Sequence, residues 1–509
     1  MFKKMILGVL IYSISFGLPF NAEASITNRN NVIFMVMDGT NSDVITLSRH
    51  YKGKPLALDE ILAGGVRTYS LRSAITDSAA AATAMATGHK TIVDFIGMVP
   101  YREKDQTIKG RPVANVLEAA QEKGLATGIV ATAPIQHATP AAFSAHSISR
   151  HNLREIGFQQ AHQNIDVILG GGKKYSFINK DFPVIYTKEE LMRSTKSRLH
   201  GFFSEEDMAY DFDRRRLHPK QPSLAEMTKK ALQTLNQNTN GFFLFIEGSK
   251  VDFAAHKNDP VGMVSEVLAF DEAVNEALKF AKNDQQTLLI AVTDHGNSGL
   301  TMGNRQTDKT YPETPSEKFI TPLKKASLTV TGAVSQLKQD RSNMRDVLIS
   351  YGLDNLSRVE IERMKNEKDI EKAMVQMMAK RAHLGFTTRG HSGEDVFLYT
   401  YGGKGVPHKP QGLINNIELA DYVVKHLNLP PLSELTKTRF IPAKQHFEKQ
   451  GFKTIVRVEN KNQAPAFIAE KNGQTIEYPS NRNVRIVNGK EEPIKGITIY
   501  NGSMFWIPR

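Results

Sequence analysis

Asn31-Val32-Ile33-Phe34-Met35-Val36-Met37-Asp38-Gly39-Thr40 is an apolar run that ends in an aspartate and a turn. An unbroken run of this kind, without polar alternation, marks a strand buried on both faces. The strand delivers Asp38 to its carboxyl end. The same pattern recurs along the chain. Leu125 to Thr132 follows a helical stretch from Val113 to Lys123, and Ile165 to Leu169 runs into Gly170-Gly171-Gly172. Phe242 to Ile246 ends at Glu247, Leu288 to Thr293 ends at Asp294-His295, and Val396 to Tyr401 ends at Gly402-Gly403. Helical segments at Ser223 to Leu235 and Pro260 to Lys282 separate several of these runs. Strands alternating with helices predict an α/β fold with a mostly parallel central sheet and helices on both faces. Such sheets collect ligands at the carboxyl ends of their strands, where Asp38, Glu247, Asp294 and His295 all fall.

The chain has 509 residues, enough for a large core and more than one domain. Residues 1–24 read as a secretory signal: Lys3 and Lys4, an apolar run from Met5 towards Phe20, then Ala22-Glu23-Ala24 as an A-x-A cleavage site. Ser13, Ser15 and Pro19 interrupt that run and shorten it below a membrane span. No other stretch is long and apolar enough to cross a bilayer, so no transmembrane segment is expected in the mature chain. The expected destination is export to a periplasm, a cell surface or the medium. There is no cysteine, so any metal site must use Asp, Glu, His and hydroxyl groups. The formal charge is +12, and cleavage would remove Lys3, Lys4 and Glu23 to leave +11. That charge suits anionic substrates or an anionic cell surface, and equally a solvated face. The basic residues are not interleaved with aromatics as in a nucleic-acid-binding module.

Thr76-Asp77-Ser78-Ala79-Ala80-Ala81-Ala82-Thr83-Ala84 places a hydroxyl between an acid and a helix-forming alanine run. A helix start offers unpaired N–H groups and the positive end of the helix dipole, which favour a bound anion such as phosphate. Asp77 or Ser78 could equally serve as a simple helix cap. Asp252 and His256 are four residues apart, so on a helix both project from one face and can share a metal. Asp294 and His295 are neighbours and reach one ion only if the strand has ended and the backbone turns, which Gly296 permits. His391, in Thr387-Thr388-Arg389-Gly390-His391-Ser392-Gly393, supplies a further imidazole. His137-Ala138-Thr139-Pro140 and Arg150 complete the set.

The order of these blocks resembles the alkaline phosphatase family from Asn31 to about Leu427. The blocks are VMDG at 36 to 39, TDSAAAATAMATG at 76 to 88, QHATPAAFSAHSISR at 136 to 150 and VILGGGKKY at 167 to 175. They continue with FIEGSKVDFAAH at 245 to 256, VTDHG at 292 to 296 and RGHSGEDV at 389 to 396. The resemblance implies a metal-dependent phosphomonoesterase that converts small phosphate monoesters to an alcohol and inorganic phosphate. It implies Ser78 as the nucleophile that forms a phosphoserine, with Arg150 gripping two phosphate oxygens and Asp77 positioning Arg150. It implies two Zn²⁺ ions, one on Asp252, His256 and His391, the other on Asp38, Asp294 and His295 with Ser78 as an additional ligand. A third ion, usually Mg²⁺, would take Asp38, Thr139 and Glu247. Some relatives carry an acid where this chain has His137, and a basic or imidazole side chain where it has Phe253. His137 thereby becomes a neighbour of the third ion or of the phosphate, and could shift that site's preference towards zinc or cobalt. Phe253 removes a water-mediated phosphate contact, and Thr40-Asn41-Ser42 replaces a glycine-rich continuation without removing a ligand.

The expected organisation is a signal peptide at 1–24, a catalytic domain at 25–435 with a polar insertion at about 302–385, and a small β-rich domain at 440–509. The insertion includes a charge-rich helical stretch from Ser357 to Arg381 and reads as a solvated surface elaboration. In the tail, Asn472-Gly473, Asn488-Gly489 and Asn501-Gly502 lie between short alternating runs, a pattern of hairpins. The tail could contact a cell surface, and relatives are often homodimers, although no residue marks an interface. Two other readings are a related diesterase or sulfatase, and an inert surface-binding protein. Arg150, Glu247 and Thr139 weigh against the first, and the complete ligand sets against the second.

Overall fold

The computed structural model describes residues 29–103, 105–177, 182–458 and 464–509. The expected signal peptide lies outside the described residues. Ten strands form one sheet in the order Gly412–Asn415, Leu62–Arg67, Val396–Gly402, Thr287–Val292, Asn31–Met37, Phe242–Gly248, Ala126–Pro134, Val167–Gly171, Leu199–Phe202, Val184–Ile185. Every neighbouring pair is parallel except the two made by Val396–Gly402. The mostly parallel sheet read from the apolar runs is therefore present.

The central strand shows why its sequence has no polar alternation. Ile33, Met35 and Met37 enter the core on one face of the sheet, and Val32, Phe34 and Val36 enter the core on the other. Helix Pro260–Asp284 packs on the first face through Val264, Val267 and Phe270. Helices Ser78–Thr87, Val116–Glu122 and Glu418–Leu427 cover the second. There Phe143 stacks on Phe245 with ring centroids 4.3 Å apart and tilts against Phe34 at 5.4 Å. Fully burying one such ring removes about 150–250 Å² from water and makes it a dominant local term.

Register then fixes the site. Val36 sits beside Glu247 in one neighbouring strand and Val292 in the other. Asp38, Glu247 and Asp294 consequently emerge together at one edge.

The sheet's antiparallel side went unread at its edge. Leu62–Arg67 and Gly412–Asn415 are rich in glycine, which weakens the strand pattern. Gly64 is there for close approach: a Cβ on it would lie 2.0 Å from the Gly412 carbonyl oxygen, while Gly412 itself has φ +74°.

The 302–385 segment differs from a solvated elaboration. It forms helices Glu317–Lys324, Val330–Ser335, Met344–Ser350, Arg358–Lys365 and Ile370–Arg381. Their apolar faces place Leu323, Val330, Met344, Tyr351, Met374 and Met378 in the same core as the central strand. Tyr351 donates its hydroxyl to Asp259 Oδ1 at 2.7 Å, which ties the segment to the N-cap of helix Pro260–Asp284. The charged residues dominate the composition because they occupy the opposite faces of short amphipathic helices.

The carboxyl-terminal region carries a five-stranded antiparallel sheet: Lys453–Arg457, Ala466–Lys471, Gln474–Pro479, Val484–Val487 and Lys490–Pro493. Asn472 and Gly473 both have positive φ (50° and 79°), as do Asn488 and Gly489 (51° and 83°). These are the angles that two-residue hairpin turns require, and they match the twist of the flanking strands. Asn501-Gly502 lies in the turn between Ile499–Tyr500 and Phe505–Ile507. The region is tied to the main body by Asn501 Nδ2 donating to the Gly110 carbonyl (2.7 Å) and by Gln159 Nε2 donating to Asn481 Oδ1 (2.9 Å).

Candidate active site

Ser78 is the first residue of helix Ser78–Thr87 and is 1% exposed. Asp77 is its N-cap: Oδ1 accepts from Ala80 N at 2.9 Å. The other oxygen, Oδ2, accepts from Asp94 N (3.0 Å) and from Arg150 NH1 (3.2 Å). One carboxylate therefore caps the helix and also pairs with the arginine. Arg150 is further placed by its own amide, which donates to Asp94 O at 2.9 Å.

Three sets of ligand-type groups surround the serine. Asp252, His256 and His391 form the first, Asp38, Asp294 and His295 the second, and Asp38, His137 and Glu247 the third, with the ligand atoms of each set within 4.8 Å of one another. Asp252 and His256 lie on helix Lys250–Lys257, so the condition under which their spacing puts both on one face is met. The strand before Asp294 ends at Val292, and the next begins at Gly296, so Asp294 and His295 both turn into one set. His391 is brought alongside by the short pairing of His391–Ser392 with Gly296–Asn297. The rings of His295 and His391 stack with centroids 3.7 Å apart, so the first two sets are adjacent. Thr139 lies beside Glu247 on the short helix that follows His137. Ser78 Oγ is 3.1 Å from His295 Nε2.

Backbone carbonyls set the imidazoles. His256 Nδ1 donates to Arg389 O (2.7 Å), His391 Nδ1 to Thr76 O (2.8 Å) and His295 Nδ1 to Gly296 O (3.2 Å). A carbonyl only accepts, so each Nδ1 carries its proton and Nε2 faces inward, where it lies 3.2–3.7 Å from the carboxylates of Asp38, Asp252 or Asp294. Fixing one ring nitrogen in this way orients the other for a metal.

The buried carboxylates fit the same reading. Asp38 Oδ1 and Asp294 Oδ2 are enclosed and face His295 Nε2 at 3.5 and 3.2 Å, while Asp38 Oδ2, both Glu247 oxygens and Thr139 Oγ1 are enclosed without a well-aligned hydrogen bond. Unpaired buried charge is costly unless a cation compensates it. Burial raises Asp38 well above the usual carboxylate range, and the neighbouring charges of Asp294, Asp252 and Glu247 add to it. Burial, with Asp294, pushes Glu247 up to about 8. Asp252 goes the other way: against its burial, the His256 hydrogen bond and the nearby imidazoles hold it below the usual range. Burial and then the Arg150 charge push His137 down to about 3. Its Nε2 faces Arg150 NH2 at 3.3 Å, and its Nδ1 is buried and unpartnered. Phe253 packs edge-on against the His137 ring at 5.5 Å. Divalent cations at three acidic sets would remove these penalties, so the donor sets fit metal ions.

All the site residues read from the sequence come together. Two further ones were not read. Asn297 Nδ2 donates to Asp252 Oδ1 at 2.6 Å and so fixes that carboxylate. Gly39 donates its amide to Asp294 Oδ1 at 3.1 Å and has φ +66°. A glycine directly after a strand-end aspartate was the available signal for Gly39. Asn297 has none, since it reaches Asp252 only through the fold.

A family model described as alkaline phosphatase matches residues 29–184 and 177–429. Alkaline phosphatase 4 of Bacillus subtilis is 36% identical over 431 residues, which span 78% of this chain and 88% of that protein. Among solved structures, Thermus thermophilus alkaline phosphatase superposes with a TM-score of 0.69 at 26% identity, covering 84% of this chain and 100% of that one. A cold-active alkaline phosphatase from Shewanella sp. gives 0.68 at 27% identity, covering 78% and 99%. Fold and likeness together define a phosphomonoesterase hydrolase. The chain belongs to the alkaline phosphatase family.

Proposed function

We propose that the chain is an exported phosphomonoesterase that acts on small phosphate monoesters through a phosphoserine at Ser78. The observation that carries this reading is the position of Ser78 Oγ, at a helix start and 3.1 Å from His295 Nε2, among enclosed carboxylates whose oxygens outnumber their partners. In the first displacement Ser78 Oγ forms a bond to phosphorus while the bond to the ester oxygen breaks, and the alcohol leaves with a proton. In the second, water attacks the phosphoserine, phosphate is released and Ser78 regains its hydroxyl.

Arg150 holds the phosphoryl oxygens through two parallel N–H donors, a geometry lysine lacks. Asp77 keeps the guanidinium aimed, and the free N–H groups at the helix start add positive potential. Asp252, His256 and His391 would hold one zinc ion; Asp38, Asp294 and His295 would hold the second, joined by Ser78. Asp38, Thr139 and Glu247 would hold magnesium; with the unpartnered Nδ1 of His137 added, this set also suits zinc or cobalt. When bound, such ions favour the serine alkoxide, stabilise the leaving oxygen and lower the pKa of the hydrolytic water. Export rests on the Lys3, Lys4, Met5 to Phe20 and Ala22-Glu23-Ala24 pattern. The proposed division is a catalytic domain over 25–435, including the 302–385 insertion, and an appended domain over 440–509.

Metal analysis of the purified protein, followed by chelation and selective return of zinc, magnesium or cobalt, tests the reading. Hydrolysis of p-nitrophenyl phosphate should vanish on chelation and return with zinc plus a third-site ion. Full activity in the chelated protein would overturn it.

A further inference from the structure

A cavity of 530 Å³ opens beside the first ligand set. Lys257 and Arg389 form its near wall. Lys257 directly follows His256 in the chain, and the Arg389 carbonyl holds the His256 ring at 2.7 Å. The far wall comes from the 302–385 segment, which adds Arg305, Lys372 and Lys380. No Asp or Glu lines the cavity. On helix Ile370–Arg381, Lys372, Gln376 and Lys380 recur at every fourth residue, so one face of the helix points into the cavity. Glu371, in that helix's first turn, pairs with the cavity-lining Lys257 at 2.9 Å and neutralises that one cation. Arg305, Lys372 and Lys380 make no ion pair with any described residue. Between the cations the lining is mixed: Val375, Leu384 and Phe386 offer an apolar patch, and Asn258, Asn304, Gln306 and Gln376 add uncharged polar groups. Arg305, Lys372 and Lys380, gathered in one cleft without counter-charge, repel one another and concentrate anions. The volume lies within the range for nucleotide-sized ligands.

We infer that this cavity is a subsite for the alcohol portion of the substrate, and that it selects phosphate monoesters whose alcohol portion carries a second phosphate on an apolar body. The inference rests on the proposed seating of the reacting phosphate between Ser78 and Arg150. With that phosphate at Ser78, the organic body lies against Val375, Leu384 and Phe386, and the second phosphate meets Arg305, Lys372 and Lys380. The 302–385 segment thus has a use beyond packing: it supplies three of the five cations and, in Val375 and Leu384, part of the apolar patch.

Adenosine monophosphate and an adenosine bisphosphate, phosphorylated on the primary and one secondary ribose hydroxyl, differ by the one remote group that the subsite reads. Each exposed charge contact contributes a factor of about two to five. The metal-loaded full chain should therefore show a KM for the bisphosphate about tenfold or more below that for the monophosphate. The combined variant Arg305→Glu, Lys372→Glu, Lys380→Glu should lose this preference and keep its kcat/KM for p-nitrophenyl phosphate, whose alcohol portion carries no second phosphate. A wild type without the preference, or a variant that retains it, overturns the inference. Calorimetric binding of the bisphosphate to wild type and variant reads the subsite independently of turnover: tighter binding by wild type supports it, and equal binding overturns it. Failure of the phosphatase reading itself would appear separately, as no hydrolysis of p-nitrophenyl phosphate by wild type.

Discussion

Gly39→Ala is a one-methyl change that should disable the site through geometry alone. Gly39 has φ +66°, and a Cβ there would lie 2.5 Å from Asp252 Oδ1, 2.6 Å from Asp252 Cβ and 2.7 Å from Asp252 Cα. Ordinary carbon contacts begin near ~3.5 Å, so the helix backbone that carries Asp252 must retreat by about 0.8–1 Å. Rotating the carboxylate alone does not relieve the contacts to Cβ and Cα. The left-handed backbone adds about 1–2 kcal/mol of strain for a residue with a Cβ. A misplacement of about 1 Å costs on the order of 100-fold in rate. The expected kcat/KM for p-nitrophenyl phosphate is therefore about 100-fold below wild type, with weaker zinc retention at the set formed by Asp252, His256 and His391. Gly53→Ala is the control: φ is +70°, and nothing lies within 4 Å of the added Cβ. It should pay the same backbone strain, read as a lower denaturation midpoint, with activity unchanged. A Gly39→Ala enzyme with wild-type turnover and zinc content would refute the packing argument.

Asn297→Ala removes the 2.6 Å hydrogen bond to Asp252 and should weaken metal retention by about 10–100-fold in a chelator competition; unchanged retention would show that Asp252 is held without it. Glu118 is fully buried, and although burial opposes it, the charges of Arg439 and His146 hold its pKa down to about 2. Its folded value lies below its unfolded one, so the stabilisation is present above about pH 4.5 and is lost as pH falls towards 2, to the extent of about 3 kcal/mol. Denaturant titrations of Glu118→Gln should show a shallower loss of stability across that window, and a slope equal to wild type would contradict the assignment. Phe245→Ala empties a ring that stacks on Phe143 at 4.3 Å and should cost about 3–5 kcal/mol by urea unfolding; a cost below about 1 kcal/mol would mean the sheet face is less tightly packed than it appears.

Legibility in the sequence followed burial. Strands buried on both faces, such as Asn31–Met37 and Phe242–Gly248, must be continuously apolar, and the polar residue that ends each one stands out. That is why Asp38, Glu247 and Asp294 were readable as a group before any fold was known. Strands next to the sheet's edge, such as Leu62–Arg67, carry glycine for close backbone approach to the edge strand and lose the pattern. The insertion misled for a different reason: its helices bury only one narrow face, so charge counts concealed Met344, Tyr351 and Met378. At the site, the ligand types and the Asp77–Ser78 helix start were legible because each uses a side chain with local grammar. The carbonyls of Thr76, Gly296 and Arg389 that orient the imidazoles leave no trace in sequence, since every residue has one. Asn297 likewise matters only through a contact that the chain makes 45 residues from Asp252.

The central claim is that Ser78 carries the phosphoryl group. Acid quenching of the metal-loaded protein during turnover, followed by mass spectrometry of its peptides, measures this directly. The account predicts one phosphoryl group on the peptide containing Ser78, absent from the chelated protein and from Ser78→Ala. Turnover of monoesters with no phosphate on that serine, or with phosphate on another residue, would contradict it.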